Sequence, residues 1–435
     1  MKNLSKKNII ALSIGNALEW YDFFVYSFVS VYFAKIFFPS INPVNTILAS
    51  TATFGVALLI RPLGGVILGY YADKFGRIKT LNLIIWIMSL SIILILITPS
   101  YQQLGIYSPL LILLARLLQG FSTGAEFGVS ASILNELSPT NKRGFYSSLQ
   151  TFSQMIAVIM SSLIGIMLSL YLNEEQIQNG GWRIPFLIGL FIIPIGIYIR
   201  RQMNDEPHSI VKTSKNTLIR LIKENIKQIL IVTGLVSGGT VSMYVILSYM
   251  PIYATRYLHL KAFDVYLSIL IGVSLMTTLI PFFGWLSDYI GKKKLLLFSM
   301  MLYIIELYPC FAWLNASPSL SKLIIIQSLF CFSLAIYYGA ITAAMTSLFS
   351  ANVRSICLSI GFNLGVMIFG AFAQFIVTLL IELVHSPLAI TIYPLAGVII
   401  CLIAIGYYQE DVAPTEQTLL TNPDYLLQSE VWPRS

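Results

Sequence analysis

Runs of about twenty apolar residues recur along nearly the whole chain, separated by short polar loops. That length matches the hydrocarbon thickness of a bilayer rather than the elements of a soluble fold. The pattern predicts twelve segments, over 9–38, 46–71, 80–99, 108–136, 144–172, 183–202, 225–256, 263–287, 294–314, 319–349, 355–384 and 388–408. One substantial polar stretch, 203–224, divides six segments from six. The expected organisation is an amino-terminal bundle over 1–202, a linker over 203–224, a carboxy-terminal bundle over 225–408 and a tail over 409–435. Basic residues fall in alternate loops: Lys2, Lys6 and Lys7, then Lys74, Arg77 and Lys79, Lys142 and Arg143, the stretch Arg200–Lys227, Lys292–Lys294, and Arg354. The intervening loops carry little charge, so the positive-inside rule places both termini, the linker and the tail in the cytoplasm. The expected class is an all-α membrane protein of twelve transmembrane helices.

Composition narrows the function. Only 11% of the 435 residues are charged, 57% are hydrophobic, and mean hydropathy is +0.79. A soluble domain carries about 25% charged residues. The net charge of +8 is spread over loops and forms no basic stripe, so nucleic acid is not an expected partner. Cys310, Cys331, Cys357 and Cys401 are scattered through apolar spans, which points to neither disulfides nor metal. The first apolar run is longer than the core of a secretory leader and carries two acids, so it is expected to be an uncleaved first helix. No nucleophile, metal cluster or phosphate-binding loop motif accompanies the spans. The expectation is a transporter rather than an enzyme, without a cofactor, monomeric, with the bilayer and a small molecule as partners and a proton gradient as energy source.

Residues 15–26, GNALEWYDFFVY, place Glu19 and Asp22 near the middle of the first span. An ionised carboxylate there costs roughly 2.5–3.5 kcal/mol on insertion scales, so such groups have partners or a task. Counting about 1.5 Å per residue, Arg61, Arg116 and Glu126 fall in the same band, about 15–20 Å deep. Three acids and two arginines leave one negative charge unmatched, and an uncompensated buried carboxylate takes up a proton. Asp22 or Glu126, with Glu19 as a third candidate, would therefore titrate during transport. Arginine stays charged; Arg116 and Arg61 would contact a substrate carboxylate, or instead hold protein acids, as in an Arg116–Glu126 or a fixed Glu19–Arg61 pair. The second half has no base at that depth and offers Tyr244, Tyr249 and Tyr338, either as packing or as an aromatic wall for a substrate cation. Glu382 is expected to be solvated, Arg183 to be an interfacial anchor, and Glu306 has no evident partner.

An internal repeat supports two related halves. Gly69-Tyr-Tyr-Ala-Asp73-Lys74-Phe-Gly76-Arg77 matches Gly284-Trp-Leu-Ser-Asp288-Tyr-Ile-Gly291-Lys292, and Glu136 through Arg143 matches Ser347 through Arg354. These loops and the layout of six plus six spans resemble the major facilitator superfamily. GNALEWYDFFVY, RPLGG at 61–65, RLLQGFSTGAEFG at 116–128 and GWRIPF at 181–186 are similar to its metabolite:proton symporters, which include carriers of proline and betaine, 2-oxoglutarate, shikimate and citrate. Ala125 departs from that family's Gly-Gly-Glu. The resemblance implies two pseudo-symmetric bundles and a multi-pass protein of a bacterial inner membrane. It also implies proton-coupled import by alternating access, with a proline or betaine-type solute first, a small carboxylate second and a transporter-like receptor third. Asp73 and Arg77 are placed to make gating contacts with Glu136 and Arg143, and Asp288 and Lys292 repeat that gate in the second half.

Overall fold

The computed structural model describes residues 6–190, apart from 41, 76, 125 and 137, and residues 222–410. The sixth predicted span beyond residue 190, most of the linker 203–224 and most of the tail 409–435 lie outside the described residues. Every regular element among the described residues is helical, and nine helices are long and apolar enough to cross a bilayer. The first-half elements are Lys6–Phe37, Pro43–Leu59, Arg61–Phe75, Arg77–Ile97, Tyr107–Thr123, Glu126–Glu136 and Arg143–Tyr171, with a further helix over 184–190. The second half runs through Ile226–Met243, Met250–Arg256, Ala262–Ile290, Lys292–Ala316, Leu320–Ser347, Ala351–Gly365, Ala373–Val384 and Ile392–Tyr407.

The segment expected to be continuous over 46–71 is broken at Ile60. Pro62 is the cause: it has no N–H for the carbonyl of Leu58 and suits the first turn of a new helix. Arg61 therefore opens a helix instead of sitting inside one. Prolines act differently in the seventh span. There the backbone widens to a π-helix over Tyr244–Tyr249, in which each carbonyl seeks the N–H five residues on. The carbonyl of Ile246 would need the missing N–H of Pro251, and the side chain of Gln327 donates to it at 2.8 Å instead. A second π-helical segment, Val366–Gly370, lies in the eleventh span.

The halves meet along packed helix pairs: Arg143–Tyr171 on Ala262–Ile290 and Leu320–Ser347, Glu126–Glu136 on Ala351–Gly365, and Pro43–Leu59 on Ala373–Val384. All four cysteines are buried and free.

Candidate functional site: a cavity between the halves

A small cavity opens where these pairs diverge. Its wall includes the rings of Trp20, Phe127, Tyr244, Tyr337, Tyr338 and Phe362, with Thr151, Gln154, Thr240 and Thr342 as neutral polar groups and, among the described residues, no charged side chain.

Directly behind Trp20 and Tyr244 lie two buried guanidiniums. Arg61 is 1% exposed, and its guanidinium sits 5.6 Å from the Trp20 ring centre and 5.8 Å from that of Phe23. Arg116 is fully buried, 4.2 Å from the Tyr26 ring, 4.8 Å from Phe23 and 5.3 Å from Phe54. It donates to Gln119 Oε1 at 2.7 Å and to the Phe54 carbonyl at 3.5 Å. The Nε of each arginine is buried without a hydrogen-bond partner, and among the described residues neither guanidinium makes an ion pair. Aromatic faces thus supply most of the stabilisation of these cations, which leaves hydrogen-bonding capacity over.

Asp22 and Glu126 are both buried, each 3% exposed. Asp22 Oδ1 has no partner, and a Cβ added at Gly189 would come within 2.7 Å of it, so the absence of a side chain at 189 makes room for the carboxylate. Arg116 and Asp22 lie within electrostatic reach without touching. Tyr244 and Tyr338 line the cavity. Tyr249 does not: its hydroxyl accepts from Thr378 at 2.8 Å, tying the seventh span to the eleventh. The side chains of Glu19, Asp73, Arg77 and Glu136 lie outside the described set.

Contacts join the halves at both ends of the cavity. At the end carrying the basic loops, Asn135 donates to Thr346 at 2.9 Å, Asn363 donates to the Gly124 carbonyl at 2.7 Å, and the rings of Phe127 and Phe362 stack at 3.5 Å. Asp288 adds a cap across the halves, accepting from the backbone N–H groups of Gly144 at 2.7 Å and Phe145 at 3.1 Å. Those donors are the open amides of the Arg143–Tyr171 helix, whose positive end a carboxylate stabilises. Arg143 itself is half-buried, with its Nε unpartnered. Lys292 lies within electrostatic reach of Asp288 and pairs with Glu410 at 3.5 Å, while Glu410 caps its backbone N–H at 2.7 Å. At the far end, Ser27 donates to the Ser248 carbonyl at 2.8 Å, Gln374 donates to Ser27 at 3.0 Å, and Tyr266 donates to the Phe28 carbonyl at 2.9 Å. Glu382, expected to be solvated, has a 33% exposed side chain that accepts from Tyr257 at 3.0 Å and pairs with Arg256 at 3.5 Å. Arg183 donates to the carbonyls of Leu96 and Thr98, which end the third span.

Capping of this kind contributes about 0.5–2 kcal/mol, equivalent to roughly a 2- to 30-fold population shift. Asp288→Ala is therefore expected to favour opening at the basic-loop end. Alkylation of a cysteine introduced as Thr342→Cys should accelerate in inside-out vesicles by about that factor; an unchanged rate would exclude Asp288 from the gate.

Sequence reasoning did not single out Asn16, Gln150 or Ser153. Asn16 donates to Ser153 at 2.7 Å and to the Gln150 carbonyl at 2.9 Å, joining the first and fifth spans inside the first half. A signal was available, since an amide inside an apolar run needs a partner.

The chain has relatives of known description. The model of the Major Facilitator Superfamily matches residues 12–356. A citrate-proton symporter of Salmonella typhi is 36% identical over 379 residues, covering 86% of this chain and 87% of the relative. A putative proline/betaine transporter of Staphylococcus aureus (strain COL) is 32% identical over 412 residues, covering 93% and 88%. Among solved structures, the xylose transporter of E. coli in a partially occluded inward-open conformation aligns with a TM-score of 0.73 at 16% identity, covering 94% of this chain and 99% of that one. These relatives and neighbours are transporters rather than enzymes. By its matched model and these relatives, the chain belongs to the Major Facilitator Superfamily.

Proposed function

We propose that this protein is a proton-coupled symporter that imports a small zwitterion of the proline or betaine kind by alternating access, its twelve helices spanning a bacterial inner membrane with both termini in the cytoplasm. The observation that carries the reading is the contrast between the two sides of the cavity. Its described wall is aromatic and uncharged, which suits an onium group at about 0.5–2 kcal/mol per ring contact. Behind Trp20 and Tyr244 stand two guanidiniums that make no ion pair among the described residues, which suit the substrate's carboxylate. Coupling follows from charge. When a substrate carboxylate enters the field of Arg116, Asp22 has a like-charged neighbour, and the protonated form of Asp22 becomes the stable one. Substrate and proton are then bound together and released together. The contacts between the halves at both ends of the cavity are the gates that must open in turn.

A small carboxylate such as citrate is the second reading. It is favoured by two guanidiniums without an ion pair among the described residues, where a zwitterion needs one, and by the names of the Salmonella typhi and Klebsiella pneumoniae relatives. Uptake into proteoliposomes decides between them. Labelled glycine betaine or proline should accumulate with an inward proton gradient and stop when an ionophore removes it. Accumulation of citrate alone would select the second reading, and accumulation of neither would remove both.

Asp22→Asn is expected to abolish gradient-driven accumulation while retaining exchange of labelled for unlabelled substrate across the membrane. Full accumulation by this variant would remove Asp22 from the coupling mechanism.

A further inference from the structure

Midway along a second-half span lies an acid that the transport reading does not use. Glu306 lies at the middle of the Lys292–Ala316 helix, partly buried, and its Oε1 is buried without a hydrogen-bond partner. Around it, on three helices, are buried hydroxyls. Ser333 Oγ on Leu320–Ser347, Tyr303 OH on its own helix and Ser242 Oγ on Ile226–Met243 belong to residues at 0% exposure, without a well-formed hydrogen bond. Ser333 is within hydrogen-bonding reach of Glu306, and Ser242 of Tyr303. Tyr303 lies within electrostatic reach of Tyr338, whose ring lines the central cavity.

Buried polar atoms are rarely left unpaired, and a group of them marks bound water or a functional task. The other titratable groups near Glu306 are Tyr303 and Cys310 on its own helix and Cys331 on Leu320–Ser347. None of them is a cation, so among the described residues no positive charge compensates an ionised Glu306 within the hydrocarbon layer. A carboxyl placed so holds a proton unless a path lets the proton leave. Ser333 and Tyr303 lie beside the Glu306 carboxyl; Ser242, against Tyr303, directly precedes Met243 of the cavity wall.

We infer that Glu306 is a second proton-binding site, in the half opposite Asp22, which exchanges its proton with the central cavity through the hydroxyls of Tyr303, Ser242 and Ser333. The step is proton binding and release at the Glu306 carboxyl; no other bond changes. The inference rests on the proton-coupled reading, but its first test needs no transport. The full chain in lipid nanodiscs is treated with dicyclohexylcarbodiimide at a series of pH values, and adducts are mapped by mass spectrometry. This reagent modifies the neutral acid and not the carboxylate. The expected result is an adduct on the peptide bearing Glu306 that declines along a single titration curve as pH rises and is lost in E306Q. No adduct on that peptide between pH 5 and 9, or one independent of pH, overturns the inference.

The second test is the ratio of proton flux to substrate flux, read whatever the overall rate. E306Q should lower the ratio by one proton per substrate. Tyr303→Phe, which keeps the ring packed 5.3 Å from Phe330, should lower it in the same direction. A wild-type ratio in both variants makes Glu306 a structural acid. Labelling as expected in a protein that accumulates no substrate would instead count against the transport reading.

Discussion

Arg116→Ala is expected to abolish uptake while leaving the protein folded. Removing one partner of a desolvated charge pair costs about 2–5 kcal/mol, so the apparent affinity for a carboxylate-bearing substrate should fall by about 30- to several-thousand-fold. A structural role would show differently. Truncating one member of a buried ion pair strands the other charge and destabilises the fold. Arg116 makes no ion pair among the described residues: its hydrogen bonds go to Gln119 and to the Phe54 carbonyl, and the rings of Phe23, Tyr26 and Phe54 surround it. Asp22 lies within its field without touching it and can take up a proton once the guanidinium is gone, so thermal stability should hold within a few degrees. Arg116→Lys keeps the charge but loses the planar fork, and should recover part of the affinity. Proteoliposome uptake and a thermal unfolding scan of the same three proteins separate the cases. A variant that unfolds would make Arg116 structural, and one that transports normally would remove it from the site.

Much of this was legible in the chain because depth is legible. A helix rises a fixed distance per residue, so the positions of Asp22, Arg61, Arg116 and Glu126 along their spans follow from counting. What counting leaves open is azimuth, the face that each residue turns to its neighbours. Tyr244 and Tyr249 illustrate this. Five residues apart in a span whose backbone widens to the π form, one meets the cavity and the other meets Thr378. The cause, an N–H missing at Pro251, is in the sequence, but the donor that replaces it, Gln327, comes from a helix 76 positions later.

The gates follow the same division. Asp288 could be flagged by its repeat with Asp73, yet its partners are backbone amides, which no side-chain pattern reveals. The closures at Ser27, Asn135, Asn363 and Gln374 use neutral side chains that barely alter the hydropathy of their spans. The break at Ile60 had a visible cause in Pro62, which an expectation built on apolar length alone passes over.

Gly120→Leu is expected to prevent folding, and Gly120→Ala to destabilise severely, because the second and fourth spans touch backbone to backbone. A Cβ at Gly120 would lie 1.7 Å from the Ala57 carbonyl oxygen, one at Gly124 2.0 Å from that of Arg61, and one at Gly64 1.9 Å from that of Phe121. Gly120 and Gly124 are four residues apart on one helical face, the small-residue spacing that lets membrane helices approach closely. Rigid carbonyls cannot swing aside as a side chain could, so even one methyl must push the helices apart. Overpacking of ordinary cores costs about 1–3 kcal/mol, and a backbone obstacle on both sides of a helix pair should reach the upper end of that range or pass it. The consequence extends to function, since Gly124 packs against Arg61, and a displaced second span carries that guanidinium away from Trp20. Gly406→Ala is the control, because nothing lies within 4 Å of a Cβ built there. Detergent-solubilised protein should give a monodisperse peak and normal unfolding for Gly406→Ala, a lowered transition for Gly120→Ala and aggregate for Gly120→Leu. Equal stability of Gly120→Ala and Gly406→Ala would mean that the second and fourth spans do not pack as closely as described.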